Sequence, residues 1–352
     1  MNFTKATAKY EEWLGRHLHI LVDDLSFKHE QMRTAPFPFL RATYYRWAQV
    51  WPEVCASAAK APEALAVGDL HVENFGTWRD GEGRLIWGIN DFDEVWRLPY
   101  TNDLVRLATS ALLAGMNCHP REAAAAILAG YRESLEAGGR PVTLAEHHAA
   151  LRHMASARLH EPEKFWEKLS ACPEASEVPP AALKALSRMM PEKGIEWRLL
   201  RRRAGLGSLG RERYVALAEW RGGFIARETK ALAPSAASWA AKYKGTARIL
   251  YQDMLDEAVR CPDPFVRMQK RWIVRRLAPD CSRIELSALP KERDEIRLLH
   301  AMGWETANVH LSDARPKPIL ADLKKRRPNW LLDDARKMEQ AVLADFSAQS
   351  AQ

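Results

Sequence analysis

The chain has no run of 18 consecutive apolar residues, and its first residues, MNFTKATAKYEEWL, lack the apolar core of a secretion signal. Both absences predict a cytoplasmic protein with no membrane partner. Cysteine is scarce. Cys55, Cys118, Cys172, Cys261 and Cys281 are odd in number and scattered, with no C-x-x-C pair, so they predict reduced thiols and neither a disulfide framework nor a cysteine zinc site. Internal repeats and low-complexity tracts are also missing. The net charge of +7 comes without a zinc-finger, RNP or repeat signature. Nucleic acid is therefore a disfavoured partner, and a basic face that attracts a phosphorylated ligand is the more economical account. Part of that charge is local: Leu199 to Arg213 holds five Arg and one Glu, a net of +4.

With 352 residues, 47% of them hydrophobic, the chain can bury a large core and build two lobes. Its organising stretch is LAVGDLHVENFGTWRDGEGRLIWGINDFDEVWRLPYTNDLVRL, Leu65 to Leu107. Ala64 to Val67 reads as a buried strand that stops at the polar loop Gly68 to Asn74. Phe75 to Trp78 and Arg84 to Ile89 flank an Asp-Gly step, which predicts a hairpin delivering the acidic segment Asn90 to Glu94. Asp69 and Asn74 stand in the D-x-x-x-x-N spacing of a kinase catalytic loop, in which Asp orients the accepting hydroxyl and Asn binds magnesium. The hairpin would bring Asp91 beside Asn74 as a second metal ligand. Asp93 projects the same way if the segment is extended. Two carboxylates about 5 Å apart repel by about 3 kcal/mol at an effective dielectric of 20, so a partly buried pair favours a bound cation. Each motif alone also reads blandly, Asp69 as a turn cap and Asp91 to Glu94 as a solvated helix entry. His71 reads as a side chain that braces the loop.

G-D-L-H-x-x-N followed by D-F-D resembles the loops of aminoglycoside and choline phosphotransferases. GDLHVENFGTW, INDFDE and DLVRLATS resemble more closely the bacterial family labelled domain of unknown function 2252, which is grouped with the protein-kinase-like fold. The resemblance implies Asp69 as catalytic base, Asn74 and Asp91 as metal ligands, and Asp103 as a brace on the catalytic loop from a helix. It also places His310 at a family histidine position, and Ala42 where the family carries glycine. Only 11 residues separate Asp91 from Asp103, too few for a long activation segment, so a small-molecule acceptor is favoured.

Before this stretch, residues 1 to 60 read as mainly helical, with Ala35 to Arg41 extended; Lys28 and Arg41 could reach phosphate, though surface charge is the more economical role for each. After it, Asp103 to Met116 reads as a helix, and further helical segments run to residue 192. His147 and His148 are adjacent, hence a poor metal pair. From Ile195 the pattern becomes strand, glycine-rich turn (Gly205, Gly207, Ser208, Gly210), strand, turn, and strand with Lys230. Such glycines let backbone N–H groups approach phosphates, and the lysine pairs with them. The order also matches the family pattern of G-x-G-S-x-G, lysine and Pro234-Ser235. A Rossmann alternative needs an apolar strand before the glycines, and Glu196 to Arg203 is too basic for one. Trp239 to Arg260 reads as one helix whose Glu257 would pair with Lys230. Arg271 to Leu277 and Ser282 to Leu286 read as a hairpin, with Leu286 to Leu289 the hinge beside an adenine. Amphipathic helices from Glu292 to Val309 and from Trp330 to Phe346 close the chain.

The expected fold is therefore α+β: a protein-kinase-like two-lobed fold, permuted, with a large helical lobe. Its parts are an N-terminal helical segment (1–63), a catalytic-loop and helical lobe (64–194), a nucleotide-binding β lobe (195–288), and C-terminal helices packed on the catalytic lobe (289–352). The expected function is ATP- and magnesium-dependent phosphoryl transfer to a small molecule. Two alternatives are a catalytically silent nucleotide-binding module and a metallophosphoesterase, although no G-N-H-[DE] motif is present.

Overall fold

Apolar residues at helical spacing make the first four helices, α1 (Phe3–Gly15), α2 (Val22–Met32), α3 (Pro36–Ala42) and α4 (Tyr44–Val54). α1 buries Phe3, Ala6, Tyr10 and Leu14, one stripe facing the core. The computed structural model describes residues 1–144, 151–152, 162–279, 281 and 295–350. The segment Ala35 to Arg41, expected to be extended, is helical as α3. Pro36 takes its first position and Pro38 its third, where the helix needs no backbone N–H donor.

Strand β1 (Glu63–Ala66), the hairpin β2 (Phe75–Arg79) and β3 (Leu85–Ile89), and β4 (Trp96–Pro99) follow. β1 pairs antiparallel with β4, a pairing not foreseen from sequence, and the hairpin runs from Phe75 opposite Ile89 to Arg79 opposite Leu85. Together the two pairings fold the polar loop and the acidic segment back beside each other. Helices α5 (Thr101–Leu113) and α6 (Pro120–Ala137) come next, then β5 (Val142–Thr143), which extends the hairpin into three strands. The adjacent residues His147 and His148 lie outside the described residues.

Beyond α7 (Pro162–Ser170) and α8 (Pro180–Ser187) lie β6 (Arg198–Arg201), β7 (Arg213–Trp220) and β8 (Gly223–Ala231). The single helix expected over Trp239 to Arg260 is two short ones, α9 (Ala236–Ala240) and α10 (Tyr251–Glu257). Between them residues 241–246 are exposed and Lys242 has a left-handed backbone (φ 51°), so no buried face holds a helix there. β9 (Arg267–Gln269) and β10 (Trp272–Leu277) complete a five-stranded antiparallel sheet of order β6-β7-β8-β10-β9. Alternation along β7 fills both of its faces. Tyr214, Ala216 and Ala218 pack with Trp272, Val274 and the α8 residues Ala182, Ala185 and Leu186, while Val215 and Leu217 pack with Leu200, Leu277 and Leu169 of α7. The second hairpin strand expected over Ser282 to Leu286 and the hinge at Leu286 to Leu289 lie outside the described residues.

The chain then returns to the helical body. α11 (Glu295–His310) packs along α6, and α13 (Trp330–Ser350) packs along α5, with α12 (Pro316–Lys325) between them in sequence. The architecture is mixed helix and sheet, α+β. No helix among the described residues is long and apolar enough to cross a membrane.

One buried acid in α11 makes the fold pH-sensitive. Glu305 accepts hydrogen bonds from the Ile89 backbone N–H (3.3 Å) and from Asn308 Nδ2 (2.8 Å). Burial pushes its carboxyl up to about 7, and Arg260 only partly offsets this. A raised folded-state value means stability that is complete below the unfolded-state value and lost as pH rises through about 7. Relative to Glu305→Gln, the wild type should therefore lose about 3 kcal/mol between pH 4.5 and 8. Urea unfolding of both proteins at the two pH values checks this, and an unchanged difference would contradict it.

Candidate active site

The loop after β1 is held from below. Val67 N and Gly68 N donate to Asp103 Oδ2 (2.7 Å) and Oδ1 (3.0 Å), so the α5 carboxylate expected to brace the loop grips its backbone directly. Asp103 is fully buried and also takes Asn102 Nδ2 and His310 Nε2, each at 3.0 Å. His310 Nδ1 in turn lies 2.8 Å from the Tyr131 hydroxyl. Gly68 has a positive φ of 79°, and a side chain there would run into the Glu94 carbonyl and the Tyr44 hydroxyl. No other residue fits that turn.

Asp69 emerges from this loop against Arg106, a residue that sequence reasoning missed. The Arg106 side chain is fully buried; its Nε donates to Asp69 Oδ1 at 2.9 Å, its Nη2 donates to the same oxygen, and Nη2 also meets the Leu40 carbonyl at 2.9 Å. Its guanidinium lies over the rings of Tyr44 (5.1 Å) and Trp47 (4.9 Å). Burial raises the Asp69 carboxyl above its ordinary value, Arg106 opposes that, and Asp91 adds to it. On α5 it shares a polar face with Asn102, Asp103, Thr109 and Ser110, three and four residues away, in a helix that is buried on nearly every side.

The hairpin sets Asn74 beside the acidic segment. Asn74 Nδ2 donates to the backbone carbonyls of Asp69 (3.1 Å) and Asp91 (3.3 Å), while its Oδ1 is buried without a hydrogen-bond partner. Asp93 Oδ1 is likewise buried and unpartnered. Burial and the neighbouring Asp91 push the Asp93 carboxyl up. Lys230 Nζ reaches across from β8, 2.6 Å from Asp93 Oδ2 and 3.5 Å from Asp91 Oδ1. The sheet thus delivers its lysine to the acidic segment even though Lys230 lies 137 positions after Asp93 in the chain.

The glycine-rich loop closes over the same place. A Cβ on Gly207 would lie 3.0 Å from the Arg41 carbonyl, a tight approach, and 3.4 Å from Asp69 Oδ2, so the loop backbone lies against both α3 and the carboxylate. The Ser208 hydroxyl accepts from Arg213 Nη2 (2.8 Å) and donates to the Gly205 carbonyl (3.2 Å). Gly210 instead faces Leu25, and its carbonyl accepts from Leu21 N at 2.9 Å. Arg211, another buried cation missed from sequence, donates to Glu94 Oε1 at 3.0 Å and lies 3.5 Å from Asp93 Oδ2. Lys28 and Arg41, read as surface charge that could also reach phosphate, are turned inward. Lys28 Nζ donates to the Gly207 carbonyl at 3.2 Å, and Arg41 pairs with Glu73. Burial and nearby Arg211 lower the Lys28 ammonium to about 8.

These groups enclose a chamber of about 40 Å³, room for an ion and a few waters. Asp69, Asn74, Asp91, Asp93, Gly205, Gly207 and Ser208 line it. Arg41 and Gly205 also border a larger cavity of about 620 Å³. Its wall combines Phe92, Tyr251 and Leu255 with Arg202, Arg213 and Arg275. Those three arginines share one buried carboxylate, Glu228, at 2.6 to 2.7 Å. Glu257 is not brought here. It is exposed at the end of α10 and borders a different surface cavity, with His17 and Lys270, while Lys230 takes its carboxylates from Asp93 and Asp91. Among the described residues no group of three or more His, Cys, Asp or Glu is arranged to hold a metal. Asn74, Asp91 and Asp93 supply two carboxylates and one amide oxygen, a set that suits magnesium, which keeps waters and binds phosphate oxygens.

Residues 21–185 match the family described as an uncharacterized protein conserved in bacteria, DUF2252. No curated protein and no solved structure matches the chain. The matched span runs from the start of α2 into α8. It carries Lys28, Arg41, Asp69, Asn74, Asp91, Asp93, Glu94, Asp103 and Arg106, and it stops short of the glycine-rich loop and Lys230.

Proposed function

We propose that the protein is an ATP- and magnesium-dependent phosphotransferase acting on a small-molecule acceptor, built as a permuted kinase-like fold. The observation that carries this reading is the meeting of Lys230 with Asp91 and Asp93 beneath a glycine-rich loop that lies against Asp69. Convergence in space, not chain order, is what phosphate binding requires. In this reading the nucleotide occupies the larger cavity, its base against Phe92 and Tyr251 and its phosphates directed toward Gly205 and the chamber. Its volume of about 620 Å³ lies within the range of small-molecule sites.

Asn74, Asp91 and Asp93 would hold magnesium, and the buried Oδ1 atoms of Asn74 and Asp93 that lack hydrogen-bond partners fit that role. The ion would neutralise charge on the phosphate oxygens. Asp69 Oδ2, the carboxylate oxygen not held by Arg106, orients the acceptor hydroxyl and takes its proton. The acceptor oxygen bonds to the γ-phosphorus, the bond to the β-phosphate oxygen breaks, and ADP leaves. Lys230 steadies the phosphates once released from Asp93.

Incubation with ATP, magnesium and a metabolite pool should yield ADP together with a new species heavier by one phosphoryl group, read by mass spectrometry. Failure of the protein to bind Mg·ATP by calorimetry would overturn the proposal. Asp91→Asn removes an anionic ligand and should weaken Mg·ATP binding by about tenfold or more, whereas Asn74→Ala, which removes a neutral one, should cost less. Equal affinity in Asp91→Asn and the wild type would contradict the metal assignment.

A further inference from the structure

Among the described residues, the cations lining the chamber or holding its carboxylates are each matched to a carboxylate, with the exception of Lys28. Arg106 holds Asp69, Arg41 holds Glu73, Arg211 holds Glu94, and Lys230 holds Asp93. Lys28 is 5% exposed and has no carboxylate within ion-pair distance among the described residues; its hydrogen bond is to the Gly207 carbonyl. A buried ammonium held only by a neutral oxygen is costly, and an anion delivered by a ligand offsets that cost. A second group points the same way. The Tyr44 hydroxyl also lines the chamber, on a side chain 4% exposed, and it lacks a hydrogen-bond partner. Lys28 donates to the Gly207 carbonyl, and a Cβ on the same glycine would lie 3.4 Å from Asp69 Oδ2, so an anion bound by Lys28 would sit on the Asp69 side of the loop.

We propose that Lys28 and Tyr44 form an oxyanion seat in the chamber, one that binds a phosphate or carboxylate group when Lys28 leaves the Gly207 carbonyl. This deepens the phosphotransferase reading and rests on it only for the source of the anion. That source is either the terminal phosphate of the nucleotide or an acidic group on the acceptor. The seat lies in a chamber of only about 40 Å³, which suits an anion carried on the end of a small molecule.

Calorimetry on the full chain with inorganic phosphate, without nucleotide, tests the seat directly. The wild type should bind phosphate. Lys28→Met should weaken that binding by about tenfold or more, since a hydrogen bond to a charged group is lost, and Lys28→Arg should recover most of it. Tyr44→Phe should weaken binding by a smaller factor and serves as the second probe if Lys28→Met does not fold. Equal phosphate affinity in the wild type and a folded Lys28→Met, or in the wild type and Tyr44→Phe where that is the probe, overturns the proposal. So does a wild type that binds no phosphate.

Mg·ATP and Mg·ADP titrations then assign the source. Weakened Mg·ATP with unchanged Mg·ADP in Lys28→Met marks the terminal phosphate, and no change in either marks the acceptor's acid. A wild type that binds phosphate but not Mg·ATP would leave the seat standing and remove the phosphotransferase reading.

Discussion

Asp69→Asn should cut turnover by about 10² to 10⁴, the usual contribution of a positioned acid-base group, while leaving Mg·ATP affinity nearly intact. Asparagine keeps the shape of the side chain and an oxygen that can accept from Arg106 Nε, so the clamp seen at 2.9 Å survives. What it loses is the ability to take a proton at the position facing Gly207. ADP formation per folded molecule, with calorimetric Mg·ATP affinity and melting temperature measured alongside, separates the two possible roles. Retained activity with a lowered melting temperature would make Asp69 a structural residue and sink the catalytic assignment.

Arg106→Leu should have the largest effect on stability, a loss of up to about 3 to 5 kcal/mol, because it leaves the Asp69 carboxylate, only 18% exposed, without its fully buried partner. The same change strands the Leu40 carbonyl and removes the guanidinium from between Tyr44 and Trp47. A domain with a total stability of 5 to 15 kcal/mol, roughly, can be unfolded outright by such a loss. Equilibrium urea unfolding measures it. The double variant Asp69→Asn with Arg106→Leu should recover part of the loss, since no uncompensated charge remains. A single-variant loss below about 1 kcal/mol would mean that the pair behaves like an exposed one.

Local pattern made much of this legible. The Asp-Gly step and alternating apolar residues fixed the hairpin to within a residue of β2 and β3. Periodicity located α5, α6 and α13, and the glycine-rich turn between two strands was found in its place. Long-range pairing was not legible. Nothing near Trp96 announces that β4 lies against β1, because four-residue strands carry too little pattern to name a partner.

Charge was the other blind spot. Lys28 and Arg41 read as surface charge that could also reach phosphate, and Arg211 as part of a solvated basic run, yet tertiary packing turns all three inward. Proline misled at α3, where two of them fall in the first turn and so break nothing. Glu257 was chosen by analogy of order, a helix following the lysine strand. The carboxylates that reach Lys230 instead come from the acidic segment the hairpin delivers.

The attachment of α2 has a mechanical consequence. Asp24 binds both Arg201 (2.9 Å) and Arg203 (2.8 Å), Leu21 N bonds the Gly210 carbonyl, and Lys28 bonds the Gly207 carbonyl. α3 and α4 instead pack on α13. α3 also packs on α2 and on the glycine-rich loop, its Arg41 carbonyl lying against Gly207, so the loop is clamped by both helices and ties the sheet to the helical body.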